Sequence, residues 1–166
     1  QVLGQVPGNP LDLSAVTQAG QAIEEQGREF SGRLAAAPSG SPKDAYDLSY
    51  GYILRADYAS AAAGFSDFLA RFPQDPLAGN AQYWLGEAHF AQGQYRNAAD
   101  SFLKAYSQYP GSAKAPDALL KLGMSLNQMQ QTDAACSAFR EVGNKFPNAS
   151  RTVRETARAE MSRAGC

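Results

Sequence analysis

Cysteine and histidine are nearly absent from this chain: Cys136, Cys166 and His89 are the only ones. Two cysteines without a Cys-x-x-Cys spacing make neither a disulfide framework nor a four-ligand zinc site, and a lone histidine has no partner for a metal site or a nucleophile relay. No metal or cofactor is therefore expected. Charge of one sign is not in excess either. The net charge is −1 and the isoelectric point about 5.8, so no positive field exists to hold a phosphate backbone, and nucleic acid is not an expected partner. Apolar runs are short, because charged residues or glycine interrupt each one well before the roughly 20 residues that a membrane-crossing helix needs. The opening residue is Gln1 rather than Met, which reads as a processed or excised segment.

What is present divides the chain in two. Residues 1–41 are rich in Gly, Pro, Ser, Gln and Ala, with turn formers on either side of a weakly helical stretch from Ala22 to Ala37. Pro7, Pro10 and Pro38 donate no backbone hydrogen bond, and large apolar side chains are too few to offset the entropy of ordering. This part reads as a flexible linker, with room for one weak helix.

From residue 42 onward the sequence repeats. Pro73, Pro110 and Pro147 stand 37 residues apart, and the same step relates Phe65, Phe102 and Phe139, then Ala61, Ala98 and Ala135, then Gly86 and Gly123. Each unit reads as two amphipathic helices, the second stopped by Phe-Pro, Tyr-Pro or Phe-Pro. Asp75, Ser112 and Ser150 lie where turn or N-cap side chains start the next helix. The small residues let paired helices approach while the phenylalanines fill the space between them, and Leu48, Leu85 and Leu122 extend one apolar stripe along the stack. The expected architecture is all-α: three helix-turn-helix repeats over about 42–75, 76–112 and 113–148, then a capping helix over about 149–164, in a domain spanning 42–166.

The middle unit, NAQYWLGEAHFAQGQYRNAADSFLKAYSQYP from Asn80 to Pro110, resembles the tetratricopeptide repeat (TPR) at Leu85, Gly86, Gly93, Tyr95, Ala98, Phe102, Ala105 and Pro110. The outer units depart from it. Ser49 stands in place of a glycine, and Gln130 and Thr132 replace the Gly-x-Tyr element of the third unit. The 37-residue period, three more than usual, adds close to one helical turn and keeps the buried face near register. Together with the Gly/Pro/Gln-rich leader and the YWLG string at Tyr83–Gly86, it makes residues Ser41 to Ala164 similar to the C-terminal domain of the CpoB (YbgF) family. That resemblance implies a periplasmic adaptor that binds Tol-Pal components and a cell-wall synthase, coupling outer-membrane constriction to septal peptidoglycan synthesis during cell division. The alternative is a generic TPR scaffold in outer-membrane or envelope protein assembly. With only scattered Glu87 and Asp117 in place of a clustered acid, base or nucleophile, the chain is not expected to be an enzyme.

A TPR solenoid binds extended or helical segments on the concave face lined by its first helices. By repeat position that face should present Lys43, Tyr46, Tyr50 and Ile53, then Asn80, Tyr83, Glu87 and Phe90, then Asp117, Leu120, Met124 and Asn127. Each position is open to two roles, touching a partner or packing on neighbouring helices. Tyr46, Tyr50 and Asp117 stand where a clamp for an acidic chaperone tail would need basic residues or asparagine, so that ligand is not expected. His89 and Trp84 read as packing residues. Cys136 lies early in the second helix of the last repeat, and an antiparallel capping helix would bring Cys166 towards it. Either a disulfide or two unconnected thiols is compatible with that placement.

Overall fold

A computed structural model describes residues 40–166. The linker and the weak helix read over 1–41 lie outside the described residues, apart from positions 40 and 41. Seven helices follow in succession: α1 (Pro42–Leu54), α2 (Tyr58–Arg71), α3 (Ala78–Ala91), α4 (Tyr95–Gln108), α5 (Ala115–Gln128), α6 (Thr132–Lys145) and α7 (Arg151–Ala164). No strand occurs among the described residues. The fold is an all-α solenoid of three helix pairs closed by α7.

Local chemistry sets the helix ends. Ser41 and Asp44 form a capping box, each accepting a hydrogen bond from the other's backbone N–H (3.2 and 3.0 Å), and Pro42 supplies a pre-set first-turn backbone. Ser150 caps α7 by accepting from the Val153 N–H at 3.2 Å. Asp75 and Ser112 act two residues earlier, folding the turns before α3 and α5 by accepting from the Leu77 and Lys114 N–H groups.

Within each pair, one phenylalanine fills the interface. Phe65, Phe102 and Phe139 are at most 1% exposed, and burying each contributes about 2–3 kcal/mol. The rings of Phe102 and Phe139 lie where a β-carbon on Gly86 and Gly123 would be, only 2.6 and 2.5 Å from that position. Ser49, the first unit's counterpart of these glycines, is tolerated for a visible reason. Its buried hydroxyl donates to the Ala45 carbonyl at 2.8 Å, and Gly64 opposite leaves it space: a β-carbon there would come within 2.5 Å of the Ser49 oxygen.

Leu48 does not continue the stripe of Leu85 and Leu122. Those two are partly buried, whereas Leu48 is 61% exposed. In the later repeats a preceding second helix covers this position, and no described helix precedes α1.

The turn inside every pair has one backbone solution. Ala56, Gly93 and Gln130, one repeat apart, have φ values of 56°, 71° and 60°, and the following N–H groups of Asp57, Gln94 and Gln131 each donate back to the carbonyls of Tyr52, His89 and Leu126 at 2.9 Å. Only glycine adopts this left-handed geometry without strain, which costs other residues about 1–2 kcal/mol. Because glycine also loses more backbone entropy on folding, Gln130→Gly and Ala56→Gly should each stabilise the domain by about 0.5–1 kcal/mol, and Gly93→Ala should destabilise it by a similar amount, read from urea midpoints.

At the other end of the stack, Cys136 and Cys166 are joined by a disulfide, with Cα atoms 5.7 Å apart and a sequence separation of 30. It ties the end of α7 to the beginning of α6. Closing a loop of that size restricts the unfolded chain by about 3–4 kcal/mol. Reduction should therefore lower the unfolding midpoint, and hydrogen exchange should accelerate first in α7; exchange that rises equally in α1 would contradict this account.

Candidate functional site

Successive first helices touch one another, α1 with α3, α3 with α5 and α5 with α7, while the second helices α2, α4 and α6 make no contact among themselves. The stack therefore curves with its first helices on the inside. Their inward residues recur at steps of three or four, which places Tyr46, Tyr50 and Ile53 on α1, Asn80, Tyr83, Glu87 and Phe90 on α3, and Asp117, Leu120, Met124 and Asn127 on α5 along one face.

These eleven are not equivalent. Tyr83 and Leu120 are buried, each 6% exposed, and belong to the wall beneath the face; the other nine are partly exposed. Ile53 packs onto the cluster around Phe65, and Met124 onto the cluster around Phe139. Asn80 is held from the turn before α5, its Oδ1 accepting from the Ser112 hydroxyl at 3.2 Å. Asp117 faces a cleft of about 470 Å³ bounded by Lys145, Asn148 and Ser150. Lys43 is exposed and pairs with Asp47, one turn along α1.

The aromatic side chains form a continuous ladder across the first two units. Tyr46 stacks on Tyr50 with ring centres 6.4 Å apart, Tyr50 meets Trp84 edge-on at 5.0 Å, and Trp84 meets Tyr83 at 5.1 Å. Trp84 thus packs between repeats. Two lysines of α5 and its approach reach back across this surface. The Lys114 ammonium lies over both Tyr83 (4.9 Å) and Trp84 (5.4 Å), and that of Lys121 lies over Phe90 (5.3 Å).

Lys121 also compensates Glu87. Glu87 Oε1 is shut off from solvent and meets only the ammonium 2.9 Å away, while Oε2 accepts a hydrogen bond from it at 3.1 Å. Repeat alignment missed both lysines. Each sits 34 residues after a residue of the face, Asn80 or Glu87, one helical turn short of the 37-residue step, and that offset is the signal that would have found them.

Electrostatics at the wall keeps the tyrosines neutral. Burial pushes the Tyr83 phenol far above its ordinary range, and the negative charges of Glu87 and then Asp117 push it further. Burial also raises Tyr46, with hydrogen bonding to Trp84 and Asn80 partly offsetting it. His89 lies off this face, its Nδ1 2.8 Å from Gln94 Oε1. Among the described residues no group of three or more His, Cys, Asp or Glu is placed to hold a metal ion. The arrangement offers flat aromatic area, fixed cations and amide groups, which suits contact with a protein segment.

Two sequence-family models, each described as a tetratricopeptide repeat, match residues 46–113 and 117–149, together well over half of the chain. The chain belongs to the TPR family. Two curated proteins of Pseudomonas putida, both named cell division coordinator CpoB, are 44% identical to it over 48 residues. That stretch is 29% of this chain and 18% of theirs, so the chain aligns with under a fifth of their length. Among solved structures, the Sgt2 TPR domain from Aspergillus fumigatus is similar with a TM-score of 0.60 at 20% identity, covering 78% of this chain and 84% of that one. MamA AMB-1 is similar with a TM-score of 0.58 at 17% identity, covering 90% and 78%. At these identities the likeness concerns the fold.

The raised tyrosines give this TPR domain a defined alkaline response. A phenol whose folded pKa lies above its unfolded value of about 10 contributes stability that is whole below pH 10 and is lost as pH climbs beyond it, because the unfolded chain releases the proton first. Urea midpoints should be flat from pH 8 to about 9.5 and then fall, and Tyr83→Phe should make that fall shallower; an unchanged slope in the variant would remove Tyr83 as its source.

Proposed function

We propose that this chain is a periplasmic protein-binding adaptor of the Tol-Pal system, which coordinates outer-membrane constriction with septal peptidoglycan synthesis during cell division. The observation that carries the adaptor reading is the inner face itself: a ladder of tyrosines and a tryptophan, with Phe90 and Met124 elsewhere on the same face, on a TPR scaffold. Aromatic side chains and methionine supply contact area at low entropic cost, and a repeat fold presents them along a curved surface long enough for a peptide. The cell-division reading draws its support from the similarity to the CpoB proteins over 48 residues.

Localisation in the periplasm is supported by the disulfide, since such bonds persist in oxidising compartments. Among the described residues no helix is long and apolar enough to cross a membrane. In this reading the protein is not an enzyme. Its inward acids, Glu87 and Asp117, are employed otherwise, Glu87 in its ion pair with Lys121 and Asp117 at the rim of a cleft open to solvent. The partners are Tol-Pal components and a cell-wall synthase.

The test is recovery of partners by the 166-residue chain from envelope extract, identified by mass spectrometry, with Tyr50→Ala/Met124→Ala alongside. Both side chains are partly exposed, so their removal spares the wall more than replacing Tyr83 would. Wild type should recover a Tol component or a cell-wall synthase, and the variant, with unchanged circular dichroism, should lose at least about tenfold of it. Recovery that survives in the variant would move binding off this face. Recovery of outer-membrane assembly proteins alone would replace the cell-division role with that of an assembly scaffold.

A further inference from the structure

A second surface stands apart from the inner face. Between α6 and α7 runs a cleft of about 380 Å³, walled by Arg140 and Asn144 from α6 and by Arg154, Arg158 and Met161 from α7. Three arginines line it, no carboxylate does, and none of the three forms an ion pair among the described residues. The carboxylates of α7 are engaged elsewhere, Glu155 with Arg151 and Glu160 with Arg163; Glu141 of α6 is not among the walls and pairs with none of the three arginines, although its Oε2 is also shut off from solvent without a hydrogen-bond partner. One donor is also stranded. The Nε of Arg154 is shut off from solvent and donates to no acceptor among the described residues, an expensive state for a charged group unless an acceptor arrives.

Like charges gathered without a counter-charge repel one another, and the arrangement becomes favourable when an anion enters. Guanidinium forks match the two oxygens of a carboxylate in a bidentate pair. Their spacing narrows the ligand. Arg154 and Arg158 are four residues apart on one helix, so they repeat about every 6 Å along its axis, the separation of acidic side chains at i and i+4 on a second helix laid beside it. There is room for one, since α7 touches only α6 and α5 among the described helices. Extended polyanions fit less well, because the chain carries a net charge of −1 and Glu155 and Glu160 lie on the same helix as the arginines. We propose that the α6–α7 cleft binds a helical segment of a partner protein that bears two carboxylates one turn apart, seated on Arg140, Arg154 and Arg158.

The experiment is fluorescence anisotropy of the whole chain with a labelled helical probe peptide carrying Glu at i and i+4, against the same peptide with Gln at both positions. The Glu peptide should bind at least about tenfold more tightly at low salt, and that preference should fall to within about twofold in R154Q/R158Q. R154K/R158K should keep only part of it, because charge remains and the fork is lost. R140Q, on the other helix, should weaken the preference independently, which keeps the test decisive should the α7 double variant not fold. Equal binding of the two peptides, or an undiminished preference in both R154Q/R158Q and R140Q, would overturn the proposal. So would displacement of the Glu peptide by inorganic phosphate at equal concentration, which would assign the cleft to a phosphate group, or tighter binding to vesicles of anionic phospholipid, which would assign it to a membrane surface. None of these outcomes depends on the inner face, so the two binding readings stand or fall separately.

Discussion

A phenylalanine ring resting where a facing β-carbon would be determines the distance between paired helices. At Gly86 and Gly123 the ring atoms of Phe102 and Phe139 come within 2.6 and 2.5 Å of that position, so the two helices can sit no closer, and any side chain at the glycine would force them apart. Repeating this contact at a fixed 37-residue step gives each pair the same internal geometry. Identical units stacked in the same way must curve in one direction, which brings α1, α3, α5 and α7 into mutual contact on the inside. The inner face with its aromatic ladder is thus a product of how the pairs close. The first unit reaches the same outcome with the sizes exchanged, Ser49 on one helix and Gly64 on the other.

The turns within the pairs obey a separate constraint, and two of the three obey it at a cost. A left-handed residue at Ala56, Gly93 or Gln130 allows the next N–H to reach a carbonyl five residues back, completing the helix end and reversing the chain. Only the middle unit places glycine there. Strain in the outer turns implies that the rest of each pair holds them, since nothing in the local sequence around Gln130 favours the conformation.

Helix order, the repeat period and the residues inside each pair were readable from sequence because they depend on contacts within one unit, and a periodic sequence exposes those directly. Phe65, Phe102, Phe139 and the paired small residues are of this kind. What depends on neighbouring units was less readable. Leu48 matches Leu85 and Leu122 by position, yet it is exposed, and among the described residues no helix precedes its own as one precedes theirs. Tyr83 and Leu120 have the same repeat positions as Tyr46, yet they are buried where Tyr46 is only partly so. Lys114 and Lys121 enter the face across a unit boundary, one turn out of step with the repeat, so an alignment of units could not display them. The arginine cleft is further removed still, because it depends on the pairing of α6 with α7, which lies outside the 37-residue pattern.

The covalent tie at Cys136–Cys166 gives the stack a mechanical property. Helix pairs in a solenoid are held by side-by-side contacts, and tension applied to an end would ordinarily peel the last helix away one turn at a time. Here Cys166, just past α7, is bonded to the start of α6, so a pull transmitted through Cys166 enters the body of the third repeat and bypasses α7 altogether. Under load the terminal helix is slack, and the structure yields only when the stacked pairs themselves begin to separate.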